Sequence, residues 1–306
     1  MGLHGAAVPV VVVSDFGRDA ALRFCAELAR RELALVSARL PDGAAFYDEY
    51  RRITLHVVGD LRFIKEPWLA SYVADERPFD DRVLVGFEGG PPLEEVVPRI
   101  GALVVEALAG PTARRSEQAV VTLPCNTLAP ASWALEQSLS SPEGIRALAR
   151  TAGYHPVGLD EVAERLAGQV LFPTVPQAVL WRCERSRAKF VLPLGTPGIV
   201  DVYAQTAQQQ QSSCTVVRPD ERWQTQVLEA IGASVAGDPE RRRASSEALL
   251  AIRDGARDRF GEDVIVVEAC TDLDYGIGVD SGREYARFVV SQVYNQETVS
   301  APPPEP

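Results

Sequence analysis

The sequence predicts an α/β protein: two similar three-layer α/β lobes with mostly parallel sheets and a cleft between them. Strand-sized apolar runs alternate with helical patterns of about 10 to 15 residues, the mark of repeated βαβ units. The order strand, turn, helix recurs in both halves of the chain. A length of 306 residues accommodates two lobes of roughly 150 residues each. The lobes are expected at 1–135 and 136–285. The remainder, 286–306, reads as a closing helix able to return to the first lobe, followed by a Pro-rich tail.

The first strand is the apolar run Val8 to Val13, closed by Ser14-Asp15-Phe16-Gly17. Ala21, Phe24, Cys25, Leu28 and Ala29 then recur at helical spacing, so Cys25 is read as a core residue of a helix. Between Pro41 and Pro92 two strand-like runs, Leu55 to Val58 and Val83 to Phe87, flank a loop or short-helix segment. A helix begins after Pro91-Pro92 with Leu103, Val104, Ala107 and Leu108 as its buried face, and Pro98 is expected to bend or divide it. AVVT ahead of Leu123-Pro124-Cys125 is the next strand. Two short helices follow Asn126, then an amphipathic helix in LDEVAERLAG and a mixed, proline-bounded stretch.

The second half repeats the order. AKFVLPLGT is a strand and glycine turn, with DVYAQTAQQQQ as its helix. CTVVRP is a strand, and ERWQTQVLEAIGASVAG and SSEALLAIRDGARDRFG are helices. DVIVVEACT is a strand, a glycine-bearing turn with Gly276, Gly278 and Gly282 follows, and REYARFVVSQVYNQ is the closing helix.

Composition excludes several functions. Lys plus Arg number 31 against 42 for Asp plus Glu, a net charge of −11. That charge opposes nucleic acid and anionic membrane surfaces. The apolar runs are far shorter than the ~20 residues of a membrane span. No Lys or Arg precedes the first apolar run, so no signal-peptide start is seen and a cytoplasmic location is expected. The five cysteines are widely spaced and form no CxxC, and the three histidines are isolated. Neither a disulfide framework nor a metal site is expected. GxGxxG, GxxxxGK[ST] and GxSxG are all absent.

Two strand ends remain. VVTLPCNT carries Cys125, Asn126 and Thr127, and VIVVEACTD carries Cys270, Thr271 and Asp272, one cluster in each half. Both fall where open α/β sheets bind ligands, at the carboxyl ends of strands. A helix N-terminus after such a cysteine favours its thiolate. One thiolate and one thiol on opposite sides of a carbon make an acid/base pair that needs no cofactor. Asn126, Thr127, Thr271 and nearby N–H groups would hold a carboxylate.

LPCNT and EACTD resemble the two cysteine signatures of the aspartate/glutamate racemase superfamily. That resemblance implies two α/β lobes, an active site between them, no cofactor, and proton transfer by one cysteine from each lobe. Cys125 and Cys270 would be the acid/base thiols, with Asn126, Thr127 and Thr271 binding the substrate. VLPLGTPGIVDVY is similar to the family's strand and Gly-Thr turn, which assigns Thr196 to the substrate carboxylate and Tyr203 to packing. VVVSDFG occupies the first-strand turn, making Ser14 a substrate-binding candidate and Asp15 a catalytic one, orienting the amino group or tuning Cys125.

Arg18, Arg51, Arg52 and Arg283 are the candidate cations for a second carboxylate, with Arg18 preferred. Leu128-Ala129 and Asp272 depart from the usual residues after each signature, and extra material is placed in 56–92 and 140–185. The expected activity is a cofactor-independent racemase or epimerase of an acidic or polar amino acid. Alternatives are isomerisation or decarboxylation of a small carboxylate, and a non-catalytic ligand-binding homologue. The resemblance implies a small-molecule partner and a homodimer. His56 and His155 lie away from both signatures and are read as structural.

Overall fold

A computed structural model describes residues 7–14, 20–38, 52–59, 85–86, 90–110, 116, 118–151, 158–270 and 273–294. The first sheet contains β1 (Val8–Val13), β2 (Ile53–Val58), β3 (Ala119–Thr122) and β4 (Val170–Leu171), in the order β2-β1-β3-β4. The second contains β5 (Phe190–Leu194), β6 (Thr215–Val216), β7 (Val264–Glu268) and β8 (Val279–Asp280), in the order β6-β5-β7-β8. Every pairing in both sheets is parallel. Each sheet runs outward from its first strand in one direction, then restarts on the other side. Both therefore have a switch point, β1/β3 in one and β5/β7 in the other, where a crevice opens at the strand ends.

β1 shows why the first lobe has three layers. All six of its residues are buried, because alternate side chains enter different cores. Val11 and Val13 join a cluster with α2 (Leu93–Ala109), α3 (Ala129–Ser138), α4 (Pro142–Thr151) and α5 (Leu159–Leu166). Val8, Val10 and Val12 join another with α1 (Ala20–Ser37) and the last helix, α10 (Ser281–Val293). The second core forms around β5 and β7 with α6 (Val175–Ser186), α7 (Pro197–Gln209), α8 (Glu221–Ala236) and α9 (Pro239–Phe260).

The change of sheet does not fall at 135. β4 pairs with β3, so the chain serves the first sheet up to Leu171. α6 then carries it across, placing Val175 and Ala178 in the first lobe's core and Val179, Leu180 and Cys183 in the second. Trp181 of α6 touches Phe288 of α10 at 5.5 Å between ring centroids. α10 returns to the first lobe, where Tyr285 is fully buried against Phe24, 5.0 Å between centroids.

Three local expectations change. The proposed strand at Val83–Phe87 has a turn at its described residues Val85 and Gly86, with Gly86 at φ +84° and its N–H on Pro91 O at 2.8 Å. Pro98 does not divide α2, which runs unbroken from Leu93 to Ala109. The proline-bounded stretch after residue 171 is a helix, α6, started by a reciprocal capping box between Thr174 and Gln177. No helix among the described residues is long and apolar enough to cross a membrane.

Candidate active site

β3 ends at Thr122, and the chain turns through Pro124 and Cys125 into a 3₁₀ turn, Asn126–Leu128, which leads straight into α3. The extended backbone at Cys125 (φ −145°, ψ 132°) makes it the residue before that turn, so its thiol stands at a helical N-terminus. Its Sγ lies 2.8 Å from Thr127 Oγ1, and either group can donate. This reversibility suits a thiol that loses and regains a proton. A hydroxyl at this place can accept from a thiol and can donate to a thiolate. Cys125 is 5% exposed.

Cys270 occupies the equivalent place in the second sheet. β7 ends at Glu268, the Ala269 N–H bonds Leu194 O at 2.9 Å, and the chain leaves the sheet. The Leu273 N–H closes a turn onto Cys270 O at 2.9 Å. Cys270 lines a cleft of about 330 Å³ between the lobes, together with Pro124, the residue next to Cys125. Ala20, Arg23 and Phe24 of α1 form the first-lobe wall, and Glu268, Asp280 and Ser281 belong to the other.

The two cysteine loops are joined through Ser281. Asn126 Nδ2 donates to Ser281 Oγ over a long 3.4 Å, and Ser281 Oγ donates to Glu268 O at 2.8 Å. Asn126 Oδ1 in turn accepts from Tyr203 Oη at 3.1 Å. Asn126 is 1% exposed and Tyr203 fully buried, so the amide is held from both ends by the opposite lobe. Tyr203 is thus more than a packing residue. Burial pushes its phenol well above the usual range, keeping it a neutral donor.

The other expected residues divide. Ser14 lies at the end of β1, but its hydroxyl donates to Gly59 O at 2.9 Å, tying β1 to the end of β2. Thr196 is fully buried as the N-cap of α7, accepting from Ile199 N. Both stand at switch points, and neither they nor Cys125, Asn126 and Thr127 are among the described residues that line the cleft, which Cys270 does line. Asp15, Arg18, Arg51 and Thr271 lie outside the described residues. Arg52 stands at the amino end of β2, its guanidinium 5.5 Å from the Tyr294 ring, at the sheet edge away from the site. Arg283 lines the cleft and pairs with Asp280 at 3.4 Å.

Three contributors escaped the sequence reading: Glu268, Ser281 and Arg23. Glu268 is 4% exposed at the end of an apolar strand, and its Oε1 accepts the N–H groups of Tyr275 (3.0 Å) and Ile277 (3.1 Å). Burial raises its carboxyl above the ordinary value more than those two bonds lower it, and Asp280 and Asp274 add to the rise. Arg23 reaches across the cleft to Asp274 at 3.0 Å.

No family model matches the sequence, and no curated protein matches it. Solved structures do. A candidate Asp/Glu racemase from Yersinia pestis superposes with a TM-score of 0.55 at 11% identity, covering 94% of this chain and 99% of that one. An aspartate racemase homologue from Pyrococcus horikoshii OT3 gives 0.50 at 13% identity, covering 93% and 98%. The aspartate racemase of Picrophilus torridus gives 0.50 at 14% identity, covering 94% of each chain. The chain has their fold. Coverage of nearly the whole length on both sides means that this racemase fold takes in both sheets, as the resemblance of LPCNT and EACTD implied.

Proposed function

We propose that the protein is a cofactor-independent racemase or epimerase acting at the α-carbon of an amino acid. One observation carries this reading: each sheet sends a cysteine loop from the strand beside its switch point, and Ser281 joins the two loops at one cleft. One thiolate, Cys125 or Cys270, takes the α-proton. The electron pair of the C–H bond moves into the carboxylate, and the opposite thiol delivers a proton to the other face. The first cysteine ends as thiol and the second as thiolate, and the reverse reaction exchanges them. Thr127 serves the Cys125 step through its bond to Sγ. N–H groups at the start of the turn after Cys125 are suited to the negative charge that grows on the carboxylate. Asp15 keeps its expected role of orienting the amino group or tuning Cys125, Thr271 that of holding the substrate, and Arg18 that of candidate cation for a second carboxylate.

Incubation of the protein with amino acids in deuterated buffer tests this directly. Exchange of the α-hydrogen and interconversion of enantiomers are expected. Cys125→Ala and Cys270→Ala should each abolish racemisation, since one thiol cannot serve both faces. Unchanged turnover in either variant would remove the two-thiol mechanism.

A further inference from the structure

The cleft holds a carboxylate that neither thiol chemistry nor the fold requires. Glu268 lines it at 4% exposure. Both backbone N–H groups that tie the loop after Cys270 end on one oxygen, Oε1. Oε2 accepts no hydrogen bond among the described residues. A glutamine would tie the same loop with its single oxygen and carry no charge. The charge is costly here, because a buried anion whose only partners are two neutral N–H groups loses most of its hydration.

The surrounding charges do not compensate it. Asp274 and Asp280 are the neighbouring acids and raise its pKa further. The arginines of the wall are already committed: Arg23 to Asp274, Arg30 to Glu27 and Arg283 to Asp280. A carboxylate without a cationic partner therefore belongs to the wall of the space that a substrate would fill.

We propose that Glu268 Oε2 receives a protonated nitrogen of the substrate. This rests on the racemase reading and deepens it, naming a substrate with an ammonium group directed at β7 and disfavouring a second carboxylate there. A cation brought to Oε2 supplies the partner the carboxylate lacks, in a site dry enough for a charge-assisted bond to count. The nitrogen has two possible sources, the α-ammonium and a basic side chain.

Calorimetric binding with matched pairs separates them. Alanine against lactate isolates the α-ammonium, and lysine against norleucine isolates the side-chain one. The wild-type protein should bind the nitrogen-bearing member of at least one pair about tenfold tighter. Glu268→Gln, which keeps Oε1 and the loop tie, should erase that preference and leave the other member of the pair unaffected. No preference in either wild-type pair, or a preference intact in Glu268→Gln, overturns the proposal. The wild-type arm decides even if the variant does not fold. A wild type that binds with this preference but exchanges no α-hydrogen leaves the Glu268 assignment standing and defeats the racemase reading. Exchange of the α-hydrogen without a nitrogen preference in either pair does the opposite.

Discussion

Asn126 is the residue on which the lobes meet, and its environment makes the strongest local prediction. Its Oδ1 has Tyr203 Oη as donor, and both groups are buried. Tyr203→Phe keeps the ring and removes the donor, leaving a buried carbonyl oxygen short of a partner. The expected loss is about 1–3 kcal/mol of stability, measured by urea unfolding, together with a drop in turnover because Asn126 follows Cys125. Glu268 makes a prediction of opposite sign. Its carboxyl is raised in the folded state above its ordinary value of 4.5. The folded protein therefore holds that proton more tightly, and stability is lost as pH rises from 4.5 through the folded value. Glu268→Gln should gain stability relative to wild type above that window, with the gap narrowing as pH falls toward 4.5. Thermal melts at several pH values, compared between the two proteins, check this. A gap independent of pH would mean that the charge carries no cost.

Among the elements, the central strands, two of which lead into the cysteine loops, were the most legible. β1, β3, β5 and β7 are buried, nearly unbroken apolar runs, and central parallel strands announce themselves in that way. β4, β6 and β8 have two residues each, too few for any periodicity to register. α6 was obscured by Pro173 and Pro176, although the spacing of Thr174 and Gln177 was available as a start signal. Tyr203 was assigned to packing through the resemblance of VLPLGTPGIVDVY, which gives no sign of a hydrogen-bond partner. Its partner is 77 positions away, beyond what a local pattern can report. Glu268 was hidden because an acid closing an apolar run looks like the strand's end. The turn before α10 carries a further test. A Cβ on Gly278 would stand 2.4 Å from Val266 O, a backbone atom that cannot step aside. Gly278→Ala should push β8 from β7, displace Ser281 at the start of α10, and impair melting temperature and turnover together. A variant that melts and turns over like wild type would uncouple that turn from the site.

On the scale of the whole molecule, α6 and α10 tie the two halves into one body. α6 contributes to both cores, and α10 covers one face of the first sheet after the chain has completed the second. Urea transitions followed separately through Trp133 in α3 and Trp223 in α8 should coincide, as for a single cooperative unit. Two separated transitions would show that the lobes unfold independently. Tyr285→Ala should cost about 3–5 kcal/mol, the range for emptying a large aromatic site, and its effect should reach the first lobe's transition although the residue lies near the end of the chain. By contrast, the cross-cleft pair Arg23–Asp274 is solvent-exposed at both ends. Arg23→Ala should change stability by less than about 1 kcal/mol.

The placement of α10 also sets an order of events during synthesis. When Leu171 leaves the ribosome, all four strands of the first sheet exist, yet Val8, Val10 and Val12 still await Val289 and Val293. A nascent chain halted before α10 leaves that apolar sheet face uncovered. The interval before α10 emerges is therefore the stage at which this half of the molecule is most open to wrong partners, and the docking of α10 closes it.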